Sequence, residues 1–151
     1  AYNGALAEWQ RQYAAWQANP TQPKPSEAAL RRQLNAIKRD QFPWMLEVTK
    51  NAPQMAIMHL GQAFKNFWAG RTEFPRFKKK GRHDSFALTN DKFRIHRSKV
   101  YIPKLGWVRM HEPLRFTGRV LEGTISRTAD RWFLSVTVEI PDYPLPVRRE
   151  N

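Results

Sequence analysis

The sequence predicts an α+β fold, in which three helices are followed by a small antiparallel β-barrel. Up to about residue 70, apolar side chains recur with a helical period of about 3.6 residues, whereas after Pro75 they alternate with a period of 2. Short apolar runs separated by frequent turns are typical of small barrels and sandwiches. With 41% apolar and 13% aromatic residues, the 151-residue chain has enough apolar surface to bury a core.

The first helix is predicted by a seam of apolar and aromatic side chains three and four residues apart. The seam consists of Tyr2, Leu6, Trp9, Tyr13 and Trp16. The helix is expected to end before residues 19–25, because the three prolines of that segment cannot continue it.

Residues typical of helix starts and helix stops predict the second and third helices. Ser26 is a good N-cap for the second helix. The third is expected to start at Asn51 and Pro53, since proline is tolerated in a first turn, and to stop at Gly70. The apolar stripe of the second helix is Leu30, Leu34 and Ile37. That of the third helix is Ile57, Leu60, Phe64 and Phe67.

Six short strands are predicted in the second half of the chain. They cover residues 85–88, 93–96, 99–102, 106–110, 119–127 and 131–140. The segment Thr128–Asp130 is interpreted as the hairpin turn between the last two strands. Residues 142–151 are rich in proline and are expected to form an extended linker.

The net charge of +13 favours a polyanionic partner. Residues 61–151 hold nineteen Lys and Arg against nine acidic residues, whereas residues 1–60 hold seven against four. Neither a membrane-spanning run nor a basic amphipathic helix is found, so nucleic acid is favoured over a membrane. The chain has no cysteine, its four histidines lack metal-ligand spacing, and no nucleophile or phosphate-binding motif is found. We therefore predict no catalytic and no metal-binding residue.

The segment 71–82 is the strongest sign of nucleic-acid binding. It places six cations beside Phe74 and Phe77. Cations neutralise phosphates and aromatic rings stack on unpaired bases. The alternative is a solvated loop whose two phenylalanines pack into the core. The cations predicted to contact the nucleic-acid backbone, here and on the strands that follow, are Arg71, Arg76, Lys78, Lys79, Lys80, Arg82, Arg97, Lys99 and Arg109.

Several sequence blocks resemble those of the TnpB (OrfB) proteins of insertion sequences, which are transposon-encoded RNA-guided DNA nucleases. The blocks are "AYNGAL", "PWMLEV", "AFKNFWAGRTEFPRFKKKG", "VYIPKLGWV" and "TISRTADRWFLSVTVE". Compared with that family, the chain is expected to lack a first barrel strand before Ala1 and a RuvC-like catalytic domain after Asn151.

The resemblance implies a division of labour. Residues 1–72 would be the helical recognition lobe, 73–141 the wedge barrel, which is OB-like, and 142–151 a linker toward the catalytic domain. The implied partners are a guide RNA from the transposon end and target double-stranded DNA, with no membrane. No cofactor is expected in this chain, Mg²⁺ belonging to the catalytic domain, and the implied location is the prokaryotic cytoplasm, near the nucleoid.

The resemblance also indicates where the DNA flank is read. The side chains at the entrance of the third helix and at the next barrel loop match the family's flank-reading positions, namely Lys50, Asn51, Gln54 and Thr89. From the residues alone, an alternative is that Asn51 caps the helix and Lys50 is solvated. Two other functions stay open, a guide-independent or nuclease-dead DNA-binding repressor and a basic RNA-binding scaffold protein.

Overall fold

A computed structural model describes residues 1–89 and 93–140, in which helices precede strands. The helices are α1 (Tyr2–Ala18), α2 (Glu27–Gln41), a 3₁₀ helix (Pro43–Leu46) and α3 (Asn51–Trp68). The strands are β1 (Ser85–Thr89), β2 (Arg94–His96), β3 (Lys99–Ile102), β4 (Gly106–Arg109), β5 (Arg119–Thr128) and β6 (Arg131–Glu139). The predicted α+β class is confirmed. The predicted linker lies outside the described residues.

Helix α2 starts and packs as its sequence suggests. Ser26 is the N-cap, and its hydroxyl accepts a hydrogen bond from the Ala29 amide at 3.3 Å. Glu27, in the first turn, lies against Gly61 of α3, where a Cβ would stand 2.7 Å from the Glu27 Oε2. The absence of a side chain at Gly61 therefore allows α2 and α3 to approach closely.

The C-terminus of α3 forms a Schellman motif. Gly70 has a φ of +69°, which a residue without a Cβ adopts easily. The amides of Gly70 and Arg71 donate to the carbonyls of Phe67 and Asn66, each at 2.9 Å. The predicted stop at Gly70 is confirmed, and the motif fixes the direction in which the basic segment 71–82 leaves the helix.

The three helices share one apolar core. Its buried members are Ala5, Leu6, Trp9, Leu30, Ile57, Leu60 and Phe64. The rings of Trp9 and Phe64 stack at 4.3 Å between centroids. Most residues of the predicted stripes lie in this core or pack against it. Trp16 and Phe67 are only partly buried and are not members of it, and Ile37, expected in the stripe of α2, is exposed.

The strands form two antiparallel three-stranded sheets. The first has the order β1–β5–β6 and the second the order β2–β3–β4. Thr128 pairs with Arg131 across the β5–β6 hairpin, so the turn consists of Ala129 and Asp130; the hairpin is confirmed, but Thr128, expected in the turn, belongs to β5. Ala129 has a φ of +54°, which this tight turn requires.

Side chains of both sheets meet in a second core. Its buried members are Leu88, Phe93, Val100, Ile102 and Ile125. Phe93 lies over Gly123 of β5, where a Cβ would stand 2.9 Å from the Phe93 Cζ. Gly123 thus provides the space in which the ring joins the two sheets.

The closed barrel stays a prediction. Within residues 1–89 and 93–140 the two sheets are not joined by strand pairing into one closed sheet. Helix α3 packs against β1, so the helices and the first sheet are in direct contact. Of the helices in this part of the chain, none has the length and hydropathy for crossing a membrane.

Candidate nucleic-acid interface

The entrance of α3 combines one buried and two exposed polar side chains. Lys50 is the N-cap, and its side chain makes no capping hydrogen bond. Asn51 is only 8% exposed, whereas Lys50 and Gln54 are exposed. Lys50 and Gln54 are four residues apart, which places them on the same side of the helix. The start of α3 therefore presents a cation and an amide together.

Asn51 does not cap α3. Its side-chain amide instead donates a hydrogen bond to the hydroxyl of Thr89, at the end of β1. The capping alternative was wrong because Asn51 lies inside the first turn, where its side chain points toward the sheet rather than back over the amides of its own helix. The bond brings two of the predicted flank-reading residues into contact.

Lys50 and Gln54 line a cleft of 640 Å³ between the helices and the second sheet. One wall is α2, another is the segment from the 3₁₀ helix into α3, and the third is the turn between β3 and β4. The cations of its lining come from all three walls and are Arg31, Lys38, Arg39, Lys50 and Lys104. No carboxylate is among the lining residues, so the cleft suits an anionic ligand.

Four of these cations were not predicted as site residues. Arg31, Lys38 and Arg39 are seven and eight residues apart, so they lie on one side of α2. That spacing was visible in the sequence and could have identified them. Lys104 could not have been found in this way, because only the packing of the second sheet brings the β3–β4 turn to the cleft.

The basic segment 71–82 crosses from α3 to β1 without helix or strand. Asn3 of α1 holds it by a reciprocal pair of hydrogen bonds. The amide of Lys78 donates to the Asn3 Oδ1, and the Asn3 Nδ2 donates to the carbonyl of Lys78, each at 2.8 Å. The Lys78 Nζ lies 4.5 Å from the ring centroid of Tyr2, and burial raises the pKa of that phenol. The segment is thereby positioned on α1.

The aromatic residues of the segment behave differently from each other. Phe74 packs edge-on against Phe64 and Phe67, with centroids 5.5 Å and 5.3 Å away, although 42% of its surface stays exposed. Phe77 is 53% exposed. Phe74 therefore contacts the edge of the helical core without being buried in it, and Phe77 is not buried either, so the packing alternative holds only in part for Phe74 and not for Phe77. Of the six predicted cations, all are exposed, and Arg76 forms an ion pair with Glu73.

The predicted basic residues of the strands meet on the second sheet. Lys99 of β3 pairs directly with Arg109 of β4, so both side chains are on the same face. Arg97 lies in the turn between β2 and β3 with a φ of +50°. All three are exposed, which leaves them accessible to a ligand.

No metal centre is found in the part of the chain that the structure describes. Within residues 1–89 and 93–140, no group of three or more His, Asp or Glu side chains is placed to hold a metal ion.

The chain is similar to four proteins that bear one description. It is 34% identical over 97 residues to "Putative RNA-guided DNA endonuclease InsQ" of Escherichia coli (strain K12), which covers 64% of this chain and 24% of that protein. It is 31% identical over 114 residues to a protein of Streptomyces pristinaespiralis with the same description, covering 72% and 28%. A third, MT2953 of Mycobacterium tuberculosis, is 31% identical over 166 aligned positions, covering 91% and 36%.

These relatives support the resemblance to the TnpB family. The chain spans between about a quarter and about a third of their length. No protein-family model matches the chain.

Proposed function

We propose that this chain is the nucleic-acid-binding portion of an RNA-guided DNA endonuclease of the TnpB type. The observation that supports this most directly is the basic cleft at the entrance of α3, where Lys50 and Gln54 meet cations of α2 and Lys104. In this proposal the helices, residues 1–72, form the recognition lobe, and the two sheets belong to the wedge barrel, residues 73–141.

The cleft is proposed to hold the duplex that flanks the target. The positive end of the α3 dipole and five cations attract its phosphates. Gln54 can pair with an adenine edge and Lys50 with a guanine edge, as side chains at a helix N-terminus do in a major groove. Asn51 and Thr89 contribute by fixing the helix entrance against β1.

The basic segment 71–82 is proposed to grip the backbone of the guide RNA. Its cations are exposed, and its backbone is fixed to Asn3 at Lys78, so little chain entropy would be lost on binding. The guide would select the target by base pairing, while the protein reads the flank. Cleavage, with Mg²⁺, is assigned to a catalytic domain of the full-length protein.

The RNA that co-purifies with the full-length protein tests this function. Sequencing it should return transposon-end RNA. Ribosomal RNA instead would favour a scaffold protein, and DNA binding with no RNA would favour a guide-independent repressor; either result would contradict the proposal.

A further inference from the structure

One face of the second sheet carries both cations and aromatic rings, in two adjacent rows. The strand register places Arg94, Tyr101 and Trp107 side by side across β2, β3 and β4. The next row on the same face is His96, Lys99 and Arg109. Because successive side chains of a strand point to opposite faces, these six residues form one continuous surface, here called the outer face.

The opposite face of this sheet is apolar and packs on the core. Val100 and Ile102 of β3 are buried there, and Ile95 of β2 packs beside them. The sheet is therefore held in place by this opposite face, and the outer face does not pack in the core. None of the six outer-face residues is acidic, whereas three of them carry a permanent positive charge.

The aromatic pair of the outer face is positioned in advance of binding. The rings of Tyr101 and Trp107 meet edge to face, with centroids 5.5 Å apart. Trp107 is 55% exposed. A half-exposed indole braced by a second ring can stack on a flat ligand with little loss of side-chain entropy.

The outer face continues directly into the basic cleft. Tyr101 lines the cleft as well as belonging to the outer face, and Pro103 and Lys104 of the adjoining turn line it too. Tyr101 therefore belongs to both surfaces and connects the cleft to the outer face.

We propose that the outer face binds single-stranded DNA continuing from the flanking duplex, with one unpaired base stacked on Trp107 and phosphates on Arg94, Lys99 and Arg109. Cations interleaved with an exposed aromatic ring match the two repeating parts of a single strand, its phosphates and its bases. The inference rests on the proposed function for the duplex in the cleft, and it assigns the adjoining surface to a different nucleic-acid structure.

The test compares three DNA ligands on this chain. They are a blunt duplex, the same duplex with a single-stranded overhang, and that overhang made with abasic nucleotides. The duplex with the natural overhang should bind about tenfold more tightly than the duplex with the abasic overhang, because one stacked base contributes about that much affinity. Trp107→Ala should abolish this difference without changing blunt-duplex affinity, and Trp107→Phe should retain most of it.

Trp132→Ala is the matched control. Trp132, at 59%, is about as exposed as Trp107, at 55%, but it lies on the first sheet, so its removal should leave the difference intact. A duplex with an RNA overhang in place of the DNA overhang tests whether the outer face binds single-stranded RNA instead. A stronger response to RNA, or equal binding of the natural and abasic overhangs by the unaltered chain, would overturn the proposal.

Failure of this inference is distinguishable from failure of the proposed function. If the blunt duplex binds and responds to substitution of Lys50 and Gln54, while the overhang has no effect, the cleft assignment stands and the outer-face assignment falls. If the blunt duplex does not bind but the single-stranded overhang does, the cleft assignment falls; binding of a single strand to the outer face then stands, but not its continuation from a duplex in the cleft.

Discussion

The side-chain amide of Asn51, the first residue of α3, donates a hydrogen bond to the hydroxyl of Thr89, the last residue of β1. Asn51 is only 8% exposed, so this bond lies at the junction of the helices and the first sheet. A buried amide without such a partner costs free energy. The pair therefore couples the orientation of the α3 entrance, and with it Lys50 and Gln54, to the sheet.

Thr89→Val should destabilise the chain by about 1–3 kcal/mol, because it removes the oxygen that Asn51 binds. Urea denaturation measures the free energy of unfolding. Thr124→Val, an exposed position on β5, is the control and should have little effect. A double-mutant cycle with Asn51→Ala should give a coupling energy of about 0.5–3 kcal/mol. Additive effects of the two substitutions would contradict the coupling.

Gln54→Ala should relax the flank preference at a cost of about 1–3 kcal/mol for the preferred base, since a lost side-chain contact to a base edge removes discrimination. Lys50→Ala should weaken flank binding, with a smaller effect on guide-RNA affinity. The measurement is depletion of a flank library by the full-length protein with its guide. Gln62→Ala, exposed further along α3, is the control. An unaltered flank preference in the Lys50/Gln54 double variant would rule the assignment out.

Lys38→Ala and Arg39→Ala together should weaken duplex binding equally for all flank sequences, because contacts to phosphates carry no sequence information. Because about two phosphate contacts are lost, the slope of the logarithm of the binding constant against the logarithm of the salt concentration should become shallower by about 1.8. Arg32 and Lys65 are exposed but are not part of the cleft lining, so the double variant Arg32→Ala with Lys65→Ala, which removes the same charge, is the matched control. A sequence-dependent loss would argue against phosphate contacts.

RNA binding should weaken steeply as salt rises, with a log–log slope of about −4 to −7 if about five to eight phosphates are neutralised. Replacing Lys78, Lys79 and Lys80 with alanine should flatten that slope. A second triple variant with the same change in net charge serves as control and replaces Lys65, Arg115 and Arg131. If both triple variants change the slope equally, the effect is one of overall charge and the RNA site is not segment 71–82.

Gly123→Ala should destabilise the chain by about 1–3 kcal/mol, because the added Cβ would stand 2.9 Å from the buried Phe93 ring. Phe93→Leu in the same chain should recover part of the loss. Thermal unfolding followed by circular dichroism measures both. Gly4→Ala adds a Cβ that has no atom within 4 Å, so it should not destabilise α1. An unchanged melting temperature in Gly123→Ala would show that the two sheets are not held together through this contact.

The sequence by itself determined the elements of this fold and many of their ends. The spacing of Leu6, Trp9 and their neighbours predicted α1, Ser26 predicted the start of α2, and Gly70 predicted the end of α3. These signals work because a helix period, a cap and a Schellman stop depend on residues only a few positions apart. The hairpin at Ala129 and Asp130 is local in the same sense.

Only the tertiary structure decided which of the cations lie together. Arg39 of α2, Lys50 of α3 and Lys104 of the β3–β4 turn line one cleft because α2 packs on α3 and the second sheet lies beside them. The outer face likewise depends on the register that sets Tyr101 opposite Trp107. Asn51 was assigned as a possible cap because its neighbours in sequence allowed it, whereas its partner, Thr89, is 38 residues away. Contacts over such distances follow from the packing of whole elements, and no local pattern of residues encodes them.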